Sequence, residues 1–292
     1  MISISSEILQ IALHEPLDGF YKGTRFDRGG IFHSLLFNGT EMAGDWYPRY
    51  DPLMHDAVKG PAEEFSPLAP PPSPSFSGLS RESLIKIGVG LLSADLTTYD
   101  RFRLYEVLDP GDWNVQASET KVLFRHTLKG IYQYEKEIAL TGEDSFRISH
   151  KLLSEIPLEG EVYNHNFFTM GRLAIGPTRK IDFPFRPEGD WRTEYDSAAF
   201  TNSGIRFSRE LREGETVYAG NIHKAGSQGM PYEMTLRETP LSVSIKGDVP
   251  VTRTVMWSSH RVACLEPYNR FSSAPGKPFS WTITYRFQTG TQ

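Results

Sequence analysis

From Arg101 onwards the chain consists of short segments in which apolar and polar residues alternate, and this pattern constrains the fold more than any other feature. Such alternation is typical of strands with one buried face. Turn-forming runs separate the segments, for example Asp-Pro-Gly at 109–111 and Thr-Gly-Glu-Asp at 141–144. No segment has a convincing long helical period, so the pattern predicts an all-β protein, either a sandwich or a barrel. The predicted strands are Arg101–Leu108, Val122–Leu128, Gln133–Leu140, Phe146–Leu152, Ile205–Leu211, Tyr232–Leu236, Leu241–Ile245, Arg253–Trp257, Val262–Leu265 and Phe279–Phe287.

The first hundred residues contain further strand signals. Ile8–His14 alternates weakly and predicts an opening strand, with a helix as the competing interpretation. The apolar run Ile31–Phe37 is followed by Asn38-Gly39, a strong hairpin turn. Leu84–Leu92 reads as one buried strand. It contains Lys86, whose amino group must reach water, a carboxylate or a ligand.

The stretch Asp45–Ser80 is rich in proline, glycine and serine and predicts a long connection. Its ionisable part, His55–Phe65, is either a solvated surface loop or part of a functional site. Predicted strands continue on both sides of this connection, so we expect residues 1–292 to form a single domain.

Composition limits the functional classes. The 292 residues carry a formal net charge of -5, whereas a nucleic-acid-binding surface needs clustered basic residues. Cys264 is the only cysteine, which rules out an internal disulfide and fits a reducing compartment. No apolar stretch approaches the roughly 20 residues of a membrane helix, and the N-terminus lacks a secretory signal. We therefore expect a soluble, cytoplasmic protein that is a monomer or a homodimer.

Two stretches stand out as candidate sites. His165 lies within Val162–Met170 between two asparagines and several aromatic residues, where it is either a structural histidine or a proton-transfer group. Glu266 closes the apolar strand before Pro267, which is expected to end the ladder. Alternatively, Glu266 is an exposed strand end with an arginine partner. Together the histidine and the glutamate would suit proton transfer on a polyol.

Several catalytic templates are missing from the sequence. It contains no GxGxxG after a strand, no P-loop, no HExxH, no CxxC and no GxSxG. The eight histidines do not pair at metal-ligand spacings. We accordingly expect neither a cofactor nor a catalytic metal.

Two short motifs carry a resemblance to a known family. Asn164-His165-Asn166-Phe167-Phe168 and, about a hundred residues later, Cys264-Leu265-Glu266-Pro267 resemble the paired motifs of the galactose mutarotase (aldose 1-epimerase) superfamily. Pro275-Gly276 followed by Trp281–Phe287 is similar to that family's closing strand. The resemblance also includes Arg25–Leu35 and Ile85–Leu92 and so spans nearly the whole chain.

The resemblance implies a large antiparallel β-sandwich, the family's supersandwich, with a sugar-binding cleft across one sheet. It also implies that His165 protonates the ring oxygen of a sugar and that Glu266 removes the proton of the anomeric hydroxyl. The ring then opens and closes again as the other anomer. The expected partner is a small-molecule carbohydrate.

The sequence departs from the family where sugar hydroxyls are usually held. Lys86-Ile-Gly-Val-Gly stands where a second histidine is expected, and Gly60–Phe65 replaces an arginine motif. We predict a rearranged substrate-binding shell consisting of Arg25, Glu63, Glu64, Lys86, Asn164, Asn166, Phe168, Asp190 and Trp191.

Three functions remain open from the sequence. The first is an aldose 1-epimerase-like isomerase, and the second is a non-catalytic carbohydrate-binding protein of the same fold. The third is another carbohydrate enzyme on this scaffold, either a phosphosugar mutarotase or a lyase. A phosphosugar enzyme requires an arginine cluster, for which Arg25 and Arg28 are the candidates.

Overall fold

The computed structural model describes residues 1–69, 83–171, 174–192, 197–227 and 229–290. These residues form 23 β-strands and no α-helix, which confirms the predicted all-β class. None of the described residues belongs to a helix long and apolar enough to cross a membrane. The proline triplet at 70–72, part of the predicted long connection, lies outside the described residues.

Two large antiparallel sheets form most of the molecule. In spatial order, the ten-stranded sheet consists of β16 (Ala198–Thr201), β17 (Gly204–Phe207), β14 (Arg179–Asp182), β19 (Glu233–Glu238), β20 (Leu241–Gly247), β23 (Phe279–Thr289), β12 (Ser145–Ser154), β11 (Tyr132–Gly142), β10 (Lys121–Leu128) and β9 (Asp112–Ala117). The six-stranded sheet consists of β15 (Pro187–Trp191), β18 (Thr216–Lys224), β21 (Arg253–Ser259), β22 (Ala263–Ser273), β13 (Leu158–Phe168) and β5 (Gly60–Phe65).

Two smaller antiparallel sheets complete the structure. One consists of β1 (Ile2–Ser5), β2 (Leu9–Leu13), β3 (Phe32–Phe37) and β4 (Thr40–Glu41), and the other of β6 (Ser83–Lys86), β7 (Gly90–Ser93) and β8 (Val107–Asp109). The predicted hairpin is confirmed between β3 and β4, where Asn38 and Gly39 have φ angles of 48° and 72°. Positive φ at both central residues is the geometry that favours Asn-Gly in two-residue turns.

The inner faces of the two large sheets pack against each other and form the core. The rings of Phe65 on β5 and Tyr134 on β11 have centroids 5.3 Å apart, and those of Phe168 on β13 and Tyr285 on β23 are 6.3 Å apart. The largest apolar cluster includes residues from Ile4 to Phe287. This packing of two sheets leaves the outer face of the six-stranded sheet free to build a site.

Strands with clear alternation were predicted correctly, because β10, β11 and β12 contain the predicted segments between Val122 and Leu152. Two other predictions were wrong in extent. Arg101–Leu108 is mostly irregular and enters a strand only at Val107. Leu84–Leu92 is two strands, because Gly88 and Gly90 adopt φ angles of 75° and 130° and reverse the chain.

Proline misled the prediction at two strands. β5 lies inside the predicted connection Asp45–Ser80 and contains Pro61; it is an edge strand that pairs only with β13, so the missing N–H is tolerated. β22 does not end at Pro267 but continues to Ser273. The ladder between β22 and β13 is interrupted beside Pro267. Neither Asn164 nor His165 on β13 forms a residue pair with β22.

The turn between β6 and β7 provides a stability test. A Cβ at Gly88 would collide with the carboxylate of Asp27, which accepts a hydrogen bond from the Gly29 N–H and lies 3.4 Å from Lys136 Nζ. Gly88→Ala should lower the free energy of unfolding by about 2–4 kcal/mol, since a backbone cost of about 1–2 kcal/mol is added to the displacement of a buried carboxylate. Urea denaturation measures the loss.

Gly39→Ala is the matched control, because Gly39 has a similar φ of 72° but no atom within 4 Å of the added Cβ. It should lose only the backbone contribution of about 1–2 kcal/mol. Equal losses in the two variants would contradict the proposed collision with Asp27.

Candidate active site

Alternation along β13 divides its side chains between the two faces of the six-stranded sheet. His165 and Phe167 line a cavity of about 600 Å³ on the outer face. Asn164 and Phe168 point toward the ten-stranded sheet, where both contact Tyr285. The strand therefore separates the residues of one sequence motif into a site-facing set and a core-facing set.

The cavity brings together residues that are far apart in the sequence. Loops, strand ends and strands of the six-stranded sheet all contribute to its wall. The lining residues are Arg25, Trp46, Asp56, Arg101, Phe102, His165, Phe167, Arg192, Tyr218, Trp257, Glu266 and Tyr268.

His165 and Glu266 face each other on neighbouring strands. Tyr163 pairs with Tyr268 and Asn166 with Leu265, so the two residues occupy the interrupted part of the ladder between these pairs. Nδ1 of His165 lies 3.2 Å from Oε1 of Glu266. The acid and the base that the sequence suggested are therefore brought into direct contact at the cavity wall.

His165 also contacts a second carboxylate. Its Nε2 lies 3.2 Å from Oε2 of Glu64, and the side chain is almost fully buried. Neither ring nitrogen has the angle of an aligned hydrogen bond, so both contacts are charge contacts that can tighten when a ligand binds. Burial by itself lowers the pKa of His165, but Glu266 and Glu64 outweigh it and raise the pKa above 6.5.

Glu64 is the charge centre behind the histidine. Its carboxylate accepts a hydrogen bond of 2.6 Å from Arg25 Nε and lies 3.9 Å from Lys86 Nζ and 3.6 Å from Arg101 Nη1. Burial raises the pKa of Glu64, but Arg25, His165 and Lys86 together hold it well below its ordinary value. Glu64 therefore stays ionised and favours the protonated form of His165.

Asp56 is a cavity residue for which the sequence gave no specific signal. It lies in the loop before β5, with Oδ2 3.8 Å from Arg25 Nη1. Its Oδ1 is buried and lies 3.2 Å from Nδ1 of His55, without the alignment of a hydrogen bond. Burial raises the pKa of Asp56 to about 6, although Arg25 opposes the shift. A carboxylate at a cavity wall can accept a hydrogen bond from a ligand hydroxyl.

Glu63, although next to Glu64, points to the other side of the sheet. Its carboxylate pairs with Lys136 Nζ, lies 3.1 Å from His150 Nε2 and accepts a 3.0 Å hydrogen bond from Asn164 Nδ2. Burial raises its pKa, but Lys136 and His150 bring it down to about 2. Glu63 and Asn164 therefore lie in a buried network between the sheets and do not line the cavity.

The remaining predicted binding residues are also away from the cavity wall. Asn166 donates hydrogen bonds to the carbonyls of Asn164 and Leu265, and Phe168 is fully buried in the core. Lys86 is buried behind Glu64 and donates to the carbonyl of Phe65. Alternation in β13 accounts for Asn166 and Phe168, because they share the inward face with Asn164.

Three further residues fall outside the site. Asp190 and Trp191 lie on the edge strand β15, and Trp191 packs on Phe200 with ring centroids 4.8 Å apart. Arg28 is buried and donates to the carbonyls of Lys22 and Gly23, so only Arg25 of the two suggested arginines reaches the cavity.

Among the described residues, one group of three could offer ligands to a metal ion. Atoms of His165, Cys264 and Glu266 lie within 4.8 Å of one another. Burial raises the pKa of the Cys264 thiol well above its ordinary value, and metals bind the thiolate form. The carboxylate and imidazole in this group already contact each other, which suits proton exchange between them.

Comparison with solved structures identifies the architecture. A galactose mutarotase related enzyme from Lactobacillus acidophilus superimposes with a TM-score of 0.59 at 10% identity, covering 100% of this chain and 98% of that chain. A homologue of aldose epimerases from C. elegans gives 0.57 at 13% identity, covering 99% of both chains. The fold is the galactose mutarotase-like fold.

A galactose mutarotase-like protein from Lactobacillus casei agrees, with a TM-score of 0.55, 12% identity and coverage of 99% of this chain and 100% of that chain. Neither the protein-family models nor the curated protein sequences gave a match. The mutarotase-like fold expected from the resemblance is thus confirmed at the level of structure, across nearly the whole length of each chain.

The position of Glu63 generates a test of the buried network. Glu63→Gln removes one of the two carboxylate partners of the buried Lys136 and leaves only Asp27, 3.4 Å away, so it should lower the free energy of unfolding by about 3–5 kcal/mol. Guanidinium chloride denaturation measures the change. Glu159→Gln, at an exposed position of the neighbouring strand β13, is the control and should change stability by less than about 0.5 kcal/mol. Unchanged stability with lost sugar binding would instead support the substrate-binding role predicted for Glu63.

Proposed function

We propose that this protein is an aldose 1-epimerase-like isomerase that interconverts the anomers of a sugar or sugar derivative. The observation that carries the proposal is the contact between His165 Nδ1 and Glu266 Oε1, 3.2 Å apart at the wall of a 600 Å³ cavity. The reaction needs an acid and a base at two neighbouring oxygens, which these side chains can provide. The mutarotase-like fold supports the proposal but does not by itself fix an activity.

In the proposed reaction, the anomeric centre binds between the two side chains and replaces their direct contact. His165 donates its Nδ1 proton to the ring oxygen, and Glu266 accepts the proton of the anomeric hydroxyl. The bond between C1 and the ring oxygen breaks as the C1 carbonyl forms. Rotation about C1–C2 turns the other carbonyl face to the ring hydroxyl. Ring closure reverses both proton transfers, so His165 and Glu266 return to their starting states and no redox step is involved.

The surroundings suit each step. Glu64 holds Nε2 of His165 and favours the imidazolium, which is the form that donates a proton. Trp46, Trp257 and Tyr268 provide aromatic surface along the cavity for the apolar face of a sugar ring. Asp56 at the cavity wall provides a carboxylate that can accept a hydrogen bond from a hydroxyl.

Substitution of the two proposed catalytic residues is the direct test. His165→Ala and Glu266→Gln should each lower kcat by roughly a hundredfold or more, because each removes one of the two proton transfers. Exchange spectroscopy by NMR on a panel of hexoses, pentoses, uronates and phosphosugars measures anomer interconversion above the spontaneous rate. Glu161→Gln, on β13 but paired with Arg253 outside the cavity, is the matched control and should keep its activity.

The opposing result would be wild-type activity in both variants. If the wild-type protein binds sugars but accelerates no anomer exchange, it is the non-catalytic binding protein of the second hypothesis.

The pH dependence provides an independent test. Activity requires protonated His165, whose pKa is raised above 6.5 by Glu266 and Glu64 after burial has lowered it. We expect kcat/KM to stay high through pH 6.5 and to decline as pH rises through the raised pKa of His165. Background-corrected rates between pH 5 and 10 measure this decline. A rate that rises with pH across that interval would contradict the role of His165 as the acid.

A further inference from the structure

Two arginines at the cavity do not belong to the proposed proton chemistry. Arg101 lies in the irregular segment between β7 and β8, and Arg192 follows β15 directly. Both line the same cavity as His165 and Glu266. No motif in the sequence drew attention to either of them.

Each arginine has its guanidinium group over the ring of a tyrosine. The guanidinium carbon of Arg101 lies 5.4 Å from the ring centroid of Tyr163, and that of Arg192 lies 4.8 Å from the ring centroid of Tyr218. A guanidinium group over an aromatic ring has five N–H donors, and those that do not point at the ring can bind an anion. The main-chain N–H of Arg192 also donates to the carbonyl of Tyr218, which fixes the base of its side chain.

The two arginines act on the same part of the cavity. Burial raises the pKa of Tyr218, and the charges of Arg192 and Arg101 both oppose that rise. Among the described residues, no carboxylate forms an ion pair with Arg192. Arg101 is 41% exposed, and its carboxylate neighbour, Glu64, already accepts a 2.6 Å hydrogen bond from Arg25.

Charge around the cavity is therefore unbalanced. The described residues that line it or contact Glu64 contain four basic side chains other than histidine and three carboxylates. The basic ones are Arg25, Lys86, Arg101 and Arg192, and the acidic ones are Glu64, Asp56 and Glu266. Protonation of His165 adds to the excess of positive charge, although the chain as a whole carries a net charge of -5.

We infer that Arg101 and Arg192 form a subsite for an anionic substituent, so that the substrate is a sugar bearing a carboxylate or a phosphate group. This inference rests on the proposed function, because the anionic group would be held while the anomeric centre lies between His165 and Glu266. Planar N–H groups of two arginines match the oxygens of both anions. The two candidate substituents have in common negatively charged oxygen atoms on a monosaccharide.

The experiment compares neutral and anionic sugars on the full chain. Calorimetric binding and NMR anomer exchange are measured for D-glucose, D-glucuronate and D-glucose 6-phosphate. We expect at least a tenfold preference for one of the anionic sugars in Kd and in kcat/KM, because hydrogen bonds to a charged group are stronger than those to neutral partners. The preference should weaken with added salt. Tighter binding of D-glucuronate would identify the substituent as a carboxylate, and tighter binding of D-glucose 6-phosphate would identify it as a phosphate.

Variants then assign the preference to the two arginines. Arg192→Gln should lose most of the preference by raising KM for the anionic sugar about tenfold more than KM for glucose, and Arg192→Lys should restore part of it. Arg101→Gln should act in the same direction. If that variant fails to fold after losing its contact with Glu64, Arg192→Gln carries the test. Arg286→Gln, which breaks an exposed ion pair with Asp144 on the other sheet, is the matched control and should change neither constant.

The outcomes separate this inference from the proposed function. Equal binding of glucose and both anionic sugars, or a preference that survives both glutamine substitutions, would overturn the subsite. Anomer exchange of neutral sugars without binding of anionic ones would remove the subsite and leave the epimerase intact. Tight, arginine-dependent binding of an anionic sugar without any anomer exchange would support the subsite and overturn the epimerase.

Discussion

The edge strand β5 presents two consecutive carboxylates to opposite sides of the six-stranded sheet, and much of the remaining arrangement depends on them. Glu63 faces inward to Lys136 and His150, whereas Glu64 faces the cavity and contacts Arg25 and His165. Neither charge is tolerable in the interior without its partners. The partners of Glu63 named above come from the ten-stranded sheet, whereas those of Glu64 come from the loop that contains Arg25 and from β13, so β5 connects the core and the cavity.

This dependence explains why strand prediction succeeded in one part of the chain and failed in another. β10, β11 and β12 alternate between a core-facing and a solvent-facing set, and that pattern is local. β5 has the sequence Gly-Pro-Ala-Glu-Glu-Phe and is buried at every position. It looked like a loop because its charges are satisfied by residues such as Lys136, more than seventy positions away. Long-range pairing of this kind leaves no local pattern.

The residues of the candidate site also fall into those that the sequence could indicate and those that it could not. Resemblance to two short motifs singled out His165 and Glu266, and the interrupted ladder at Pro267 explains how they come to face each other. The two-residue period of a strand could have excluded Asn164, Asn166 and Phe168, since they alternate with His165. By contrast, Arg101 and Asp56 lie in irregular segments, where no periodicity indicates which way a side chain points. Their positions follow from how the loops pack over the sheet.

The charges around Glu64 link strand β5 to the candidate site. Glu64 gathers basic side chains because it is buried, and this leaves arginine N–H groups at the cavity. Its own charge, together with that of Glu266, raises the pKa of His165, although Arg25 opposes the rise. The basic side chains at the cavity would attract a small anion, although the whole chain carries a net charge of -5. The low-dielectric walls of a cavity strengthen this attraction, because they focus the electric field of the charges. The proposed subsite and the proposed acid–base pair both involve Glu64, because this carboxylate contacts His165 as well as Arg101. One buried carboxylate therefore connects the two proposals.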